Sequence, residues 1–261
     1  MLVGTAVAGH EGGASLGAGM AALVVGLGMQ LGVNFANDYS DFVRGADAAR
    51  VGPLRASSSG IVEPGHVRLA AFGAFGVAAV AGVALSVAVD WRLLIAGAAC
   101  LLAGWLYTGG PRPYGYLGLG EVFVFVFFGV VATVGTAYVE TTHVTLLAVL
   151  MGCGVGFLAT AILVLNNLRD IDTDRAAGKR TLATRIGRER TRGLLAGVVL
   201  AAFAASLIAG VFTTLFAIPI AFVAVRAAFT TTSPPLLVQA LKRMAIAELA
   251  YALLFALGIL L

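Results

Sequence analysis

Asn34, Asn37, Asp38 and Asp41 lie together in one short stretch, and Asn166, Asn167, Asp170, Asp172 and Asp174 repeat the same mixture of amides and carboxylates far downstream. In the first cluster Asn34, Asp38 and Asp41 stand at offsets 0, 4 and 7; in the second Asn167, Asp170 and Asp174 stand at 0, 3 and 7. Such offsets place side chains on one helix face, so each cluster can present one amide and two carboxylates as a stripe. Two stripes facing each other would gather Asp38, Asp41, Asp170 and Asp174, and their mutual repulsion demands cations. Oxygen ligands without His or Cys point to Mg²⁺, which takes one or two carboxylates and completes its octahedron with water and substrate phosphate. A diphosphate fits that arrangement, with Arg44, Arg50, Arg55, Arg112, Lys179 and Arg180 available for its remaining oxygens. The plainer reading is that the acids offset nearby basic loops and cap helix ends. Two clusters of matched spacing favour the site.

The elements that must hold these residues are long and apolar. Hydrophobic residues make up 60% of the chain, charged residues 11%, and the mean hydropathy is +0.98. No soluble core needs that share. Runs of roughly 17 to 25 apolar residues cross a bilayer as helices. The sequence offers eight candidates, at 14–36, 67–89, 93–108, 117–139, 144–168, 193–209, 211–228 and 245–261. A ninth, 1–9, is too short to span and lacks the flanks of a signal peptide, so the reading expects the chain to begin inside a helix. The expected fold is all-α: a polytopic membrane bundle of nine transmembrane helices, the first truncated, forming a single domain over 1–261. In lipid an uncompensated carboxylate is costly, so the acids that end these runs mark chemistry rather than scaffolding.

Charge placement tests the layout independently. Numbering the loops by alternation after the first full span, all 17 basic residues except Arg92 fall in or beside the first, third, fifth and seventh loops. Lys and Arg gather in cytoplasmic loops, and a wrong helix count would scramble this parity. Both acidic clusters adjoin the first and fifth loops, so both open onto one cytoplasmic face. The net charge of +4 therefore reflects topology and anionic lipid headgroups. Nucleic acid is not implied, because the basic residues are divided among four loops with no binding module around them.

Other reactive side chains lack such company. Cys100 and Cys153 fall inside apolar runs and read as small buried hydrophobes. His10, His66 and His143 are scattered at helix ends and assemble no triad or metal site. Asp172 sits off the face shared by Asp170 and Asp174, which predicts solvent exposure. Glu248 lies near Lys242 and Arg243, which predicts an ion pair or an interfacial position; Arg185, Arg188, Arg190 and Arg192 read as a positive anchor.

At this point the residues carry a resemblance. The stretches Asn34-Phe-Ala-Asn-Asp-Tyr-Ser-Asp-Phe-Val-Arg-Gly-Ala-Asp47 and Asn166-Asn-Leu-Arg-Asp-Ile-Asp-Thr-Asp-Arg-Ala-Ala-Gly-Lys179 are similar to the two aspartate-rich motifs of the UbiA superfamily of intramembrane prenyltransferases. Within it the chain most resembles the MenA branch, the 1,4-dihydroxy-2-naphthoate polyprenyltransferases of menaquinone synthesis. Arg50-Val-Gly-Pro-Leu-Arg55, the stretch from Leu106 to Glu121 that begins Leu-Tyr-Thr-Gly-Gly-Pro-Arg, and Thr181-Leu-Ala-Thr-Arg-Ile-Gly187 favour that branch. The resemblance implies nine helices around a central cavity with a polar cap on the cytoplasmic side of the cell inner membrane. It implies that Asp38, Asp41, Asp170 and Asp174 bind Mg²⁺ and through it the diphosphate, with Asn34, Asn37 and Asn167 at the family's amide positions. Where the superfamily pattern places a further Asp, this chain has Gly45, and Asp47 follows two residues on.

The chemistry implied is loss of diphosphate from a polyprenyl diphosphate, with Mg²⁺ and basic residues stabilising the departing charge. An allylic cation then meets an electron-rich ring in a cavity kept dry by the bundle. Tyr107, Phe123, Phe125, Phe127, Phe128 and Tyr138 are available to steady it, each by roughly 0.5 to 2 kcal/mol. With 1,4-dihydroxy-2-naphthoate as the acceptor, carbon dioxide leaves as well. Glu121 is either a helix cap or part of the acceptor site. Two alternatives remain open: a sister prenyltransferase using 4-hydroxybenzoate, homogentisate, haem or a chlorophyll precursor, and a cation transporter. A transporter would place polar residues and broken helices near the bilayer middle, where these spans are almost free of charge.

Overall fold

The computed structural model describes residues 1–45, 55–111 and 113–260. Asp47, Arg50 and Arg112 lie outside the described residues. Within them the chain is helical and contains no strand. The helices are α1 (Leu2–His10), α2 (Leu16–Val43), α3 (Pro64–Ala88), α4 (Leu93–Leu106), α5 (Gly120–Phe123), α6 (Ala132–Thr141), α7 (Leu146–Arg169), α8 (Ile171–Ala176), α9 (Leu182–Ile208), α10 (Ile218–Thr230) and α11 (Pro234–Leu260). A π-helical segment, Val124–Val131, joins α5 to α6 in one continuous rod.

Seven of these rods are long and apolar enough to cross a membrane, and the protein is a multi-pass membrane protein. The stretch expected to span at 93–108 forms α4, whose 14 residues rise about 21 Å, short of a hydrocarbon core of about 30 Å. Elsewhere the helices outrun the apolar stretches that nucleate them. Helix α2 continues seven residues past Ala36 to Val43, so its last two turns carry Asp38 and Asp41 beyond the apolar part. Helix α9 begins at Leu182 but breaks at Gly187 (φ 79°, ψ 169°), a left-handed position that suits glycine, and the basic turns around the break precede the apolar part.

Helix α7 is the axle of the molecule. Leu158, Ala161, Val164, Leu165 and Leu168 are wholly buried against α9, α11 and the π segment. Its glycines permit the closest approach: a Cβ at Gly129 would stand 2.1 Å from the Cα of Gly156, so the π segment and α7 meet backbone to backbone. On the outside, Leu16, Val87 and Phe216 are among many large apolar side chains left exposed, as a lipid-facing surface requires.

The two ends of the bundle differ in chemistry. The end holding the 10–15, 89–92 and 141–145 connections ties itself with few acids: Glu140 accepts from Thr5 Oγ1 and the Ser15 amide, and Asp90 from Tyr138. At the other end the described residues that follow α2, α4 and α7 converge, and Arg192 reaches across to the carbonyls of Ala228 and Thr231 at the end of α10. Both acidic motifs therefore lie at the same end as most of the basic residues.

Candidate functional site

One polar cavity opens where α2, the 107–119 connection, α7 and α8 meet. Its lining includes Asn37, Asp41, Arg55, Tyr107, Tyr116, Asn166, Asn167, Asp170, Asp174 and Lys179. Each motif supplies side chains one helical turn apart: Asn37 and Asp41 on α2, and Asn166, Asp170 and Asp174 across the α7–α8 junction. Of the four carboxylates expected together, three line this cavity. Asn34 is exposed on α2 and is not part of the lining, and Asp38 is turned into the protein.

Asp41 is the most heavily bonded of these carboxylates. Lys179 Nζ donates to its Oδ1 at 2.9 Å, Arg55 Nη1 stands 3.2 Å from Oδ2, and the Tyr116 hydroxyl donates to Oδ1. A carboxylate only 5% exposed needs such partners, because burial without them costs several kcal/mol. Lys179 is shared, standing 3.9 Å from Asp174 Oδ1 and 4.7 Å from the centre of the Tyr116 ring. Arg44 lies over the same ring at 5.3 Å and donates to the carbonyl of Gly110.

Asp170 has a dedicated partner. Arg169 Nε donates to its Oδ1 at 2.6 Å, Nη2 donates to Oδ2, and Nη2 also reaches Asn166 Oδ1 at 2.8 Å. This bidentate fork orients the carboxylate and leaves Arg169 almost wholly buried. Asp174, in α8, carries less compensation. Burial pushes its carboxyl up to about 6, with the neighbouring Asp170 and Asp41 adding to the rise and Lys179 and Arg169 opposing it.

Two of the three amides in the lining, those of Asn37 and Asn167, face opposite ways. Thr108 Oγ1 donates to Asn37 Oδ1 at 2.7 Å, which leaves the Asn37 N–H groups for an anion. Asn167 Nδ2 donates to Glu121 Oε1 at 2.9 Å, which leaves the Asn167 carbonyl oxygen for a cation. Glu121 is 7% exposed, and among the described residues its Oε2 has no hydrogen-bond partner. The acid that read equally as a helix cap thus joins α5 to the second motif.

The 107–119 connection is fixed by backbone as well as side chains. The Arg180 amide donates to the Tyr116 carbonyl at 3.1 Å, and Gly118, at φ +75°, packs so close that a Cβ would meet the Arg180 carbonyl at 3.1 Å. Burial, and then the charge of Asp41, push the Tyr116 hydroxyl well above its usual range, so it remains a donor. From Tyr107 an aromatic series leads away from the cavity. Ring centres separate Tyr107 from Tyr114 by 5.5 Å, Tyr114 from Phe123 by 3.8 Å and Phe123 from Phe127 by 5.8 Å. Phe125 pairs instead with Phe157, Phe128 packs beside Val33 and Phe75, and Tyr138 belongs to the opposite end.

Outside the cavity, Asp172 is exposed and pairs with Arg188 at 3.0 Å. Glu248 is half-buried and, among the described residues, makes no ion pair with Lys242 or Arg243. Thr108, Tyr116 and Arg169 are site residues that sequence reasoning had not singled out. Among the described residues no three His, Cys, Asp or Glu side chains stand close enough to hold a metal by themselves. The donors nevertheless suit Mg²⁺, being oxygens throughout, and a magnesium site completed by substrate phosphate needs only one or two carboxylates.

Residues 1–234 match the UbiA prenyltransferase family. The chain is 46% identical over 178 residues to the 1,4-dihydroxy-2-naphthoate octaprenyltransferase of Mycobacterium tuberculosis, covering 68% of this chain and 61% of that protein. The protein of the same name from Mycobacterium leprae is 40% identical over 237 residues, covering 89% of this chain and 81% of the relative. The fold matches that of a UbiA homolog from Archaeoglobus fulgidus, solved bound to DMAPP and Mg²⁺, with a TM-score of 0.59 at 16% identity over 99% of this chain and 94% of that one.

Proposed function

The chain belongs to the UbiA prenyltransferase family, and from that premise we propose that it transfers a polyprenyl group from polyprenyl diphosphate to 1,4-dihydroxy-2-naphthoate. The carbon–oxygen bond to diphosphate breaks and the allylic carbon bonds to the ring carbon bearing the carboxylate. Diphosphate and carbon dioxide leave, and the product is a demethylmenaquinol for menaquinone biosynthesis. The acceptor is carried over from the names of the relatives from Mycobacterium tuberculosis and Mycobacterium leprae.

The observation that carries the reading is the convergence of Asp41, Asp170 and Asp174 with Lys179, Arg55 and two oppositely oriented amides on one cavity. We assign the three carboxylates and the Asn167 carbonyl to holding Mg²⁺ together with the diphosphate, no ion taking more than two of the carboxylates; bound there, Mg²⁺ would neutralise charge on the departing diphosphate. Lys179, Arg55 and Arg44 take diphosphate oxygens, and the Asn37 N–H groups take another. Asp47, Arg50 and Arg112 are assigned to the same task from sequence alone. Tyr107 lies between the polar lining and the aromatic series, where an allylic carbon would sit with its tail running toward Phe123 and Phe127. Glu121, beside Tyr107, is assigned to the acceptor side. The family setting and the basic loops support a location in the cell inner membrane with this cavity facing the cytoplasm.

Purified protein with Mg²⁺, a polyprenyl diphosphate and dihydroxynaphthoate should yield prenylated naphthoquinol and diphosphate. Absence of product from the unmodified chain, or full activity in Asp41→Ala and Asp174→Ala, would overturn the reading.

A further inference from the structure

Asp38 belongs to the first acidic motif but is not among the residues that line the cavity. It is 6% exposed, and both of its oxygens are committed: Oδ2 accepts from the Ala56 amide at 2.8 Å and Oδ1 from the Ser57 amide at 3.2 Å. Those two amides open a tight turn, in which the Ser59 amide bonds to the Arg55 carbonyl, Gly60 to Ser57 and Val62 to Ala56. The first amides of such a turn have no partner within it, so an acceptor from elsewhere must satisfy them. Asp38 supplies that acceptor from α2, across 18 residues of chain. Ser57 is 3% exposed, so water does not offer a ready substitute.

The residue that begins this turn is Arg55, whose guanidinium stands 3.2 Å from Asp41 Oδ2 inside the cavity. Asp38 and Asp41 are three residues apart on one helix, so the turn fastened by the first delivers its arginine to the second. We infer that Asp38 is a positioning residue: it clasps the 55–62 turn to α2 and so holds Arg55 against Asp41. Asp38 turns both oxygens onto backbone N–H groups of residues that do not line the cavity, so its carboxylate faces the turn rather than the place a metal ion would take. The motif then divides its labour, with Asp41 serving the cavity and Asp38 the loop that completes it. The consequence for diphosphate rests on the reading proposed above; the clasp itself does not.

Two measurements on detergent-solubilised full-length protein separate these claims. Hydrogen exchange of peptides covering 55–62 reads the clasp directly. Asp38→Ala should speed exchange at Ala56 and Ser57 by about tenfold or more, with Asp38→Asn, which keeps one acceptor oxygen, between the two. Thermal stabilisation by inorganic diphosphate with Mg²⁺ reads the cavity. Asp38→Ala and Arg55→Ala should each raise the half-saturating diphosphate about tenfold, and the double variant should be no worse than Arg55→Ala alone. Half-saturating Mg²⁺ at saturating diphosphate should stay within about twofold in Asp38→Ala while rising in Asp41→Ala. Unchanged exchange in Asp38→Ala, or a magnesium requirement that rises as in Asp41→Ala, would overturn the positioning role. An unmodified protein that diphosphate and Mg²⁺ fail to stabilise would overturn the diphosphate reading, and the exchange arm would still decide the clasp.

Discussion

Asn167 on α7 donates its Nδ2 to Glu121 Oε1 at 2.9 Å, and both residues are buried. This single bond decides which end of the amide faces the cavity, because a carboxylate cannot accept from a carbonyl oxygen. Partners that orient a ligand from behind are worth roughly 10- to 100-fold in metal affinity. Glu121→Leu should therefore raise the Mg²⁺ concentration needed for half-maximal activity by about tenfold or more. Glu121→Gln, whose amide oxygen still accepts from Asn167, should come close to the unmodified protein. A magnesium titration of initial rates on the two variants checks this, and equal behaviour of Leu and Gln would rule it out.

Tyr116 serves Asp41 with its hydroxyl and supports Lys179 and Arg44 with its ring, and the two contributions can be separated. A hydrogen bond to a charged group is worth about 1.5 to 3 kcal/mol, or about tenfold and upward. Tyr116→Phe should lower kcat/KM for the prenyl diphosphate by about tenfold. Tyr116→Ala also removes the aromatic face beneath both cations, each at roughly 0.5 to 1 kcal/mol, and should lose several-fold more. Steady-state kinetics with the diphosphate varied would show the difference between the two.

The raised carboxyl of Asp174 makes both stability and metal binding depend on pH, in opposite directions. Its folded value is about 6 against an ordinary 3.8, so the protein without metal gains from this group below pH 3.8 and loses that share as pH rises through about 6. Mg²⁺ needs the ionised form, so its affinity should fall as pH drops through about 6. Melting temperatures from pH 5 to 8, with and without Mg²⁺ and diphosphate, should diverge as pH rises. In Asp174→Asn the divergence over that window should largely vanish.

Much of this arrangement was legible in the residues, for identifiable reasons. Apolar runs long enough for a bilayer admit few structures other than helices, so the approximate helix positions followed from length and composition. The register of the first motif was not legible in the same way. Asn34, Asp38 and Asp41 satisfy helical spacing as well as Asn37 and Asp41 do; the choice is made by which face α2 turns toward α7 and by where the 55–62 turn lands. Thr108 and Tyr116 sit in a connection with no periodicity, and their partners lie 71 and 75 residues away. Glu121 looked like a cap because it does begin a helix, yet its partner comes from 46 residues downstream. Local pattern carries no information about such pairings.

Packing far from the cavity should also reach the site through the rod that carries Glu121 in its first turn. Gly129 lies eight residues further along that rod, about 12 Å away, where it touches Gly156 of α7. A Cβ at Gly129 would meet backbone at 2.1 and 2.5 Å, which no side-chain movement can relieve, so Gly129→Ala must push the rod off α7. Overpacking of this kind costs typically 1 to 3 kcal/mol. Because Glu121 rides on the displaced rod while Asn167 stays on α7, the bond between them should weaken with the loss of packing. Gly129→Ala is therefore expected to lower the melting temperature and also to raise the magnesium requirement in the manner of Glu121→Leu. Gly135, on the same rod with open space around it, supplies the comparison: Gly135→Ala should leave both unchanged. A magnesium requirement that stays fixed while Gly129→Ala melts early would show that the rod's packing and the site are uncoupled.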